Sequence, residues 1–231
     1  MIKAILWDLD NTILDFTAAE RASLKRAWAL YGFGECSDEM LKDYARINVA
    51  QWEMLERGEK SLEDVLVDRF AVFLGKYGRD PKLGSEFTQE YESHIADTLV
   101  FIPNARETLE ALKGKVTLCC ATNGVKAVQE RRLRESGLDR IFDKIFISTA
   151  MGAAKPSREY FDMILRELDG LSHEEVLMVG DSLTSDMKGA ANTGIPKCLF
   201  NPGHKAVNVD FTIEYMIEDI AEVPALLERI I

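Results

Sequence analysis

The chain has 231 residues, and 47% of them are hydrophobic, which is enough for one large domain or a domain with an insert. Its 39 acidic residues outnumber its 28 basic residues, so the net charge at pH 7 is −11. This acidic balance argues against a nucleic-acid polymer or an acidic membrane as a partner. An anionic small molecule would need cations supplied locally by the site.

The first predicted element is a strand over residues 2–7 that ends on two carboxylates, Asp8 and Asp10. An apolar run of this length predicts a buried central strand of a parallel sheet, and ligands bind at the carboxyl ends of such strands. Two neighbouring acids resist joint ionisation, and burial adds to the cost. A bound cation or a shared proton would resolve the conflict, so the pair indicates a site. The alternative is a polar strand end with a turn-forming Asp-Asn pair.

Four amphipathic helices are predicted next, in the region up to about Asp97. Apolar residues recur at helical spacing, and glycines separate the helices. Ser61 with Asp64 three residues later resembles a capping box that opens the third helix. The predicted helices cover residues 18–31, 37–57, 61–77 and a segment carrying Phe87, Tyr91 and Ile95. Short connections between them predict a helical bundle inserted after the first strand.

Strands and helices alternate from Leu99 onward. The predicted strands are 116–121, 144–148, 176–179 and 196–200, with a further short strand at 210–213. Helices are predicted between them, including one that begins at Pro156 and reaches about Leu168, one over 183–193, and a last helix over 220–229. This alternation predicts an α/β fold, in which right-handed crossovers build a three-layer, Rossmann-like parallel sheet.

Polar residues stand at the predicted strand ends and just before one helix, where a parallel sheet would bring them to one edge. They are Asp8 with Asp10, Thr122 with Asn123, Lys155, and Asp181 with Asp186. Each of these features also has a simpler interpretation when it is taken alone. The Thr122-Asn123-Gly124 stretch could be a turn, Lys155 a surface lysine, and Asp181 a helix cap.

Together, these features resemble the four motifs of the haloacid dehalogenase superfamily in its phosphatase form, in the same order and approximate spacing. Asp8-Leu9-Asp10-Asn11-Thr12 is similar to the first motif. The resemblance implies a catalytic core formed by residues 1–15 and 98–231. It also implies that residues 16–97 form a helical cap, because the insert matches the position of the superfamily's first type of cap.

The resemblance also implies a role for each matching residue. Asp8 would be the nucleophile that forms an aspartyl-phosphate, and Asp10 the general acid and base. Mg²⁺ would be held by the Asp8 and Asp181 carboxylates and the Asp10 backbone carbonyl, and Asp186 would support the metal or orient Lys155. Thr122, Asn123 and Lys155 would bind the phosphoryl group. Dehalogenases of this fold lack an acid at the position of Asp10, so Asp10 favours phosphoryl chemistry.

Several stretches resemble one branch of the superfamily, the YjjG-type pyrimidine 5′-nucleotidases. They are Asn48–Trp52, Gly58 followed by Arg69-Phe70, Thr122-Asn123-Gly124-Val125 and Ala154-Lys155-Pro156. This resemblance implies a nucleoside 5′-monophosphate substrate, with contacts from Phe16, Asn48, Trp52 and Arg69. The alternative is that Trp52 and Phe70 belong to the bundle core and that Arg69 makes a surface ion pair.

Other functions remain open at this point. They are a sugar-phosphate or phosphoglycolate phosphatase, a mutase resembling β-phosphoglucomutase, and a binding protein of the same fold without catalysis. The expected partner is a small phosphate ester, and the expected assembly is a monomer or a homodimer. Four cysteines without a C-x-x-C pair, and no signal-peptide or membrane-span pattern, favour reduced thiols and a cytoplasmic location.

Overall fold

A computed structural model describes residues 1–230 of the chain. These residues divide into two compact units. The sheet unit comprises Met1–Phe16 together with the chain from Leu99 onward, and the helical unit comprises Thr17–Thr98. Within the described residues, no helix has both the length and the apolar character that a bilayer crossing requires.

The sheet unit is built on six parallel strands in the spatial order β3-β2-β1-β4-β5-β6. The strands are β1 (Ala4–Trp7), β2 (Thr117–Thr122), β3 (Lys144–Ile147), β4 (Val176–Gly180), β5 (Lys197–Phe200) and β6 (Tyr215–Ile217). β1 is central, since Trp7 lies opposite Cys120 on one side and Val179 on the other. The predicted parallel α/β fold is confirmed.

The helical unit contains four α-helices, and a fully buried aromatic cluster forms its core. The helices are α1 (Phe16–Leu30), α2 (Asp38–Glu56), α3 (Leu62–Lys76) and α4 (Gly84–Ile95), with the first residue of α1 assigned to the sheet unit. Tyr44 stacks on Phe70 at 4.8 Å between ring centroids, and Phe70 contacts Tyr91 at 5.0 Å. Phe70 is therefore core. The predicted capping box of Ser61 and Asp64 is confirmed.

Helices pack on both faces of the sheet. They are α5 (Ala105–Leu112), α6 (Lys126–Ser136), α7 (Ser148–Met151), α8 (Arg158–Glu167), α9 (Lys188–Thr193) and α10 (Val223–Ile230). One core contains Trp7 and Cys120 with residues of α5, α6 and α10. The other contains Leu6 and Cys119 with residues of α8 and α9. Successive residues of a strand thus belong to different cores, because successive side chains of a β-strand point to opposite faces of the sheet.

Three predicted elements differ from those in the structure. The helix expected at Pro156 begins at Arg158, because the Ser157 side chain accepts a hydrogen bond from the Tyr160 backbone and caps it. The segment 183–193 is not one α-helix: Leu183–Met187 forms a π-helix that precedes α9. The strand expected at 210–213 lies at Tyr215–Ile217 instead.

Candidate active site

The candidate site lies where the strand order reverses, at the carboxyl ends of β1 and β4. Asp8 follows β1, and its backbone N–H donates to the Val179 carbonyl at 2.9 Å, which extends the pairing of the two strands. Asp181 follows β4 directly. This reversal opens a crevice at the sheet edge, where ligands bind in open α/β folds. Pairing of the two strands therefore brings both acids to one place.

A buried lysine bridges two of the carboxylates. Lys155 Nζ lies 2.6 Å from Asp8 Oδ1 and 2.6 Å from Asp186 Oδ1. The Asp186 side chain is fully buried, and its Oδ2 also accepts from the Ser182 backbone N–H at 3.1 Å. Gly180 permits this arrangement, because a Cβ at that position would overlap the Asp186 carboxylate. Asp186 therefore orients Lys155.

A third carboxylate lies beside the two that bind this lysine. Asp8, Asp181 and Asp186 each offer an oxygen within 4.8 Å of the other two. Burial, followed by the charges of Asp186 and other acids, raises the pKa of Asp8 well above its usual value, although Lys155 opposes the shift. Burial and Asp186 raise the pKa of Asp181 to about 7. One lysine does not neutralise the cluster, and an all-oxygen donor set of this kind fits Mg²⁺.

Lys155 itself keeps its proton. Burial acts to lower its pKa, but Asp186 and Asp8 raise the pKa well above the usual value for lysine. The Asn123 side chain fixes the lysine backbone, because its Nδ2 donates to the Lys155 carbonyl at 2.7 Å and its Oδ1 accepts from the Lys155 N–H at 2.9 Å. Both polar atoms of the Asn123 side chain therefore bind the Lys155 backbone. A phosphoryl group near Asn123 would bind backbone N–H groups instead of this side chain.

Asp10 lies in a tight turn after β1. Asn11 has left-handed backbone (φ 62°), which asparagine tolerates, and its N–H donates to the Leu14 carbonyl at 2.7 Å. Both Asp10 oxygens are bound by side chains of α6. Gln129 Nε2 donates to Oδ2 at 2.7 Å, and Arg132 Nη1 donates to Oδ1. Gln129 Nε2 also lies 2.8 Å from Thr122 Oγ1, so these residues form one cluster.

The four predicted substrate contacts fall in two places. Phe16 belongs to the sheet unit, where its ring lies 5.5 Å from the Arg132 guanidinium carbon. In the helical unit, Asn48 Oδ1 accepts from Trp52 Nε1 at 3.1 Å and from Arg69 Nη1 at 3.4 Å. Trp52 is partly exposed. Arg69 is buried, so the surface ion pair considered for it is not observed.

The buried arginine of the helical unit belongs to a network with two carboxylates. Arg69 Nη2 donates to Glu92 Oε1 at 2.9 Å, and Asn48 Nδ2 donates to Glu20 Oε2 at 2.8 Å. Burial raises the pKa of Glu20 to about 7, although the Asn48 hydrogen bond and Arg69 oppose the shift. Glu20 therefore exchanges its proton near neutral pH.

The sequence matches the haloacid dehalogenase-like hydrolases over residues 2–194. The chain belongs to this family. It is 32% identical over 225 residues to the HAD-hydrolase YfnB of Bacillus subtilis, covering 97% of this chain and 95% of YfnB. A crystal structure of YfnB bound to magnesium has a TM-score of 0.92 at 32% identity and covers 98% of each chain.

Two further relatives of this haloacid dehalogenase-like hydrolase are named pyrimidine 5′-nucleotidases. PynA of Streptococcus pneumoniae is 35% identical over 204 residues, covering 87% of this chain and 85% of PynA. YjjG of Escherichia coli is 27% identical over 223 residues and covers 96% of each chain. The resemblance read from the motifs is thereby confirmed at the level of the family, and the chain is an enzyme of the hydrolase class.

Four site-associated residues were missed from the sequence: Glu20, Glu92, Gln129 and Arg132. A signal for two of them exists in α6, whose buried face consists of Gln129, Arg132, Leu133 and Ser136. This is the i, i+3, i+4, i+7 pattern of an inward face, with only one apolar member. Two large polar side chains on such a face indicate a buried polar partner, which here is Asp10.

Proposed function

We propose that this enzyme is a Mg²⁺-dependent phosphomonoester hydrolase that acts through an aspartyl-phosphate on Asp8. The observation that carries the proposal is the convergence of three carboxylates at the ends of β1 and β4, two of which bind one buried lysine. A phosphate monoester is a dianion that water attacks extremely slowly. A carboxylate nucleophile divides this difficult reaction into two easier steps.

In the first step, an Asp8 carboxylate oxygen attacks phosphorus, and the bond from phosphorus to the alcohol oxygen breaks. Protonated Asp10 donates its proton to that oxygen, so the alcohol leaves as a neutral molecule. Lys155 lies 2.6 Å from Asp8 and offsets negative charge on the nucleophile and the phosphoryl group. The Thr122 hydroxyl and the backbone N–H groups from Asn123 onward bind phosphoryl oxygens.

In the second step, water attacks the phosphorus of the aspartyl-phosphate. The Asp10 carboxylate takes one proton from this water, the bond from phosphorus to Asp8 breaks, and inorganic phosphate leaves. Asp8 regains its carboxylate and Asp10 regains its proton. The position of Asp10, two residues after Asp8 in a tight turn, supports its role in both steps.

The Asp8 and Asp181 carboxylates and the Asp10 backbone carbonyl would hold the metal, with Asp186 as support. When bound, Mg²⁺ supplies positive charge that reduces the repulsion between the nucleophile and an anionic substrate. The three convergent carboxylates support this assignment, as does the similarity to YfnB, whose crystal structure contains magnesium. Asp186 Oδ1 lies 2.6 Å from Lys155 Nζ, so this carboxylate would also hold the lysine beside the metal site.

We further propose nucleoside 5′-monophosphates as the substrate class. The printed names of PynA and YjjG support this choice. The sheet unit would be the catalytic core, and the helical unit the cap that selects the leaving group. Phe16, Asn48, Trp52 and Arg69 are the proposed contacts, and partly exposed Trp52 offers an aromatic face for a base. Four free, buried cysteines support a reducing compartment such as the cytoplasm.

The test is a phosphate-release screen with Mg²⁺ over pyrimidine and purine 5′-monophosphates, sugar phosphates and phosphoglycolate. We expect release to concentrate on UMP, dUMP or dTMP. Asp8→Asn is expected to lower kcat/KM at least about 1,000-fold, because it removes the nucleophile. Release from sugar phosphates or phosphoglycolate alone would contradict the substrate class, and no release even from p-nitrophenyl phosphate would contradict catalysis.

Base recognition is tested by Trp52→Ala. Loss of base stacking is expected to lower kcat/KM for UMP about tenfold or more, while p-nitrophenyl phosphate is hydrolysed as before. Val49→Ala, an exposed position on the same helix, is the matched control and should change neither value. Unchanged kcat/KM for every nucleotide would remove Trp52 from the substrate contacts.

A further inference from the structure

Two buried side chains of α6 hold the carboxylate of Asp10 from one side. Gln129 and Arg132 are three residues apart, so they lie on the same face of the helix. Gln129 Nε2 donates to Asp10 Oδ2 at 2.7 Å, and Arg132 Nη1 donates to Asp10 Oδ1. Each carboxylate oxygen therefore has its own donor, which fixes the plane of the group.

The arginine is held there at a cost to stability. Its side chain is 1% exposed, and a buried guanidinium is unfavourable unless it is paired. Within the described residues, its Nε and Nη2 have no hydrogen-bond acceptor, and Asp10 is the carboxylate it contacts. The Phe16 ring lies 5.5 Å from the guanidinium carbon. A cation in this position serves Asp10 rather than the packing of the helix.

Gln129 connects Asp10 to Thr122. Gln129 Nε2 donates to Asp10 Oδ2 and lies 2.8 Å from Thr122 Oγ1, and its Oε1 accepts from Arg132 Nη1 at 2.8 Å. Gly124 leaves room for this amide, because a Cβ at Gly124 would overlap the Gln129 side chain. The position of the Asp10 carboxylate is thus set relative to the residue proposed to bind phosphate.

We propose that Gln129 and Arg132 are positioning residues for the proton transfers made by Asp10, an inference that rests on the phosphatase function proposed above. Proton transfer depends on an oxygen lying within hydrogen-bond reach of the leaving group, so a freely rotating carboxylate would be a poorer catalyst. The donors are complementary to the carboxylate that remains after Asp10 protonates the leaving oxygen. The same carboxylate then receives the proton of water.

Esters with different leaving groups distinguish a positioning role from a purely structural one. A purely structural defect should lower kcat/KM equally for all of them. p-Nitrophenolate leaves readily without a proton, phenolate less readily, and the alkoxide of UMP needs one. Because kcat/KM reports the steps up to departure of the leaving group, a misplaced Asp10 should matter most for UMP. We expect Arg132→Met to lower kcat/KM about 100-fold for UMP and less than about tenfold for p-nitrophenyl phosphate, with phenyl phosphate between them.

Gln129→Glu is the second variant, which keeps the shape and removes the amide donor, and it decides the test if Arg132→Met does not fold. Asp10→Asn supplies the reference for full loss of proton transfer. Arg131→Met is the matched control, since Arg131 pairs with Glu135 at 2.8 Å on the same helix, and it should leave all three values unchanged.

An equal loss for all three esters in folded Arg132→Met and Gln129→Glu would overturn the positioning role and leave the phosphatase function intact. If the unsubstituted enzyme released no phosphate from any ester, the phosphatase function itself would fail, and the inference with it.

Discussion

Each unit of the molecule contains a polar cluster with more carboxylates than cations, but the two clusters arrange these groups differently. In the sheet unit Lys155 pairs with Asp8 and Asp186, Arg132 pairs with Asp10, and Asp181 lies beside Asp8 and Asp186. In the helical unit Glu92 pairs with Arg69, and Glu20 accepts a hydrogen bond from Asn48. Three carboxylates of the sheet unit lie within 4.8 Å of one another, whereas Glu20 and Glu92 each bind a separate partner.

A surplus of negative charge can be balanced in different ways. In the helical unit a proton suffices, because burial raises the pKa of Glu20 to about 7 and Asn48 accommodates the protonated or ionised group. In the sheet unit the oxygens converge, and convergence suits a cation with several oxygen ligands. Changes at the two places should therefore have different consequences.

Removing the shared cation of the sheet unit should give the largest effect. Lys155→Met leaves Asp8 and Asp186 without their buried partner, so we expect a loss of about 3 kcal/mol in the free energy of unfolding. The kcat/KM of p-nitrophenyl phosphate should fall at least about 100-fold, because charge on the phosphoryl group is no longer offset. Urea denaturation and steady-state kinetics measure the two effects.

The matched control is Lys60→Met in the helical unit, where Lys60 Nζ lies 2.6 Å from Asp68 on a partly exposed surface. A pair of this kind contributes within about 1 kcal/mol, and activity should not change. Equal effects of the two substitutions would contradict the special position of Lys155.

In the helical unit we expect an effect on stability alone, and this effect depends on pH. The folded pKa of Glu20 is raised from 4.5 to about 7, so its contribution to stability is present below pH 4.5 and is lost as pH rises through 7. Glu20→Gln removes this dependence. Between pH 4.5 and 8 the stability of the variant relative to the unsubstituted chain should rise by about 3 kcal/mol.

Urea denaturation across that pH range gives the difference directly. The matched control is Glu63→Gln, which replaces an exposed carboxylate of the same unit. It should change the free energy of unfolding by less than about 0.5 kcal/mol at every pH. If the difference between Glu20→Gln and the unsubstituted chain stays constant with pH, Glu20 keeps an ordinary pKa. That result would contradict the claim that a proton balances the charge in the helical unit.

The sequence predicted those parts of the fold that local residue patterns determine. The apolar run before Asp8 indicated the central strand, Ser61 with Asp64 indicated a helix start, and alternation indicated the parallel sheet. The polar strand ends indicated the site, because parallel strands end at a common edge. These inferences need only the chain's own periodicity and the geometry of a sheet.

Other features depend on partners far away in the sequence. Phe211, Ile213, Tyr215 and Ile217 alternate over one stretch, so the pattern does not show which part pairs with β5. Phe211 and Ile213 pack against a core, and Ile217 belongs to the strand. Arg132 was missed because its partner, Asp10, lies 122 residues away, and nothing in the local pattern of α6 specifies that carboxylate.

The central claim is that Asp8 takes the phosphoryl group, and trapping that intermediate tests it most directly. Asp10→Asn is incubated with Mg²⁺ and p-nitrophenyl phosphate, whose leaving group departs without a proton, whereas breakdown of the intermediate still requires the missing base. After an acid quench, mass spectrometry should find one phosphoryl group on Asp8 that hydroxylamine removes, and none on Asp8→Asn. Phosphate release by the unsubstituted enzyme with no adduct in either protein, or with an adduct on another residue, would contradict the account.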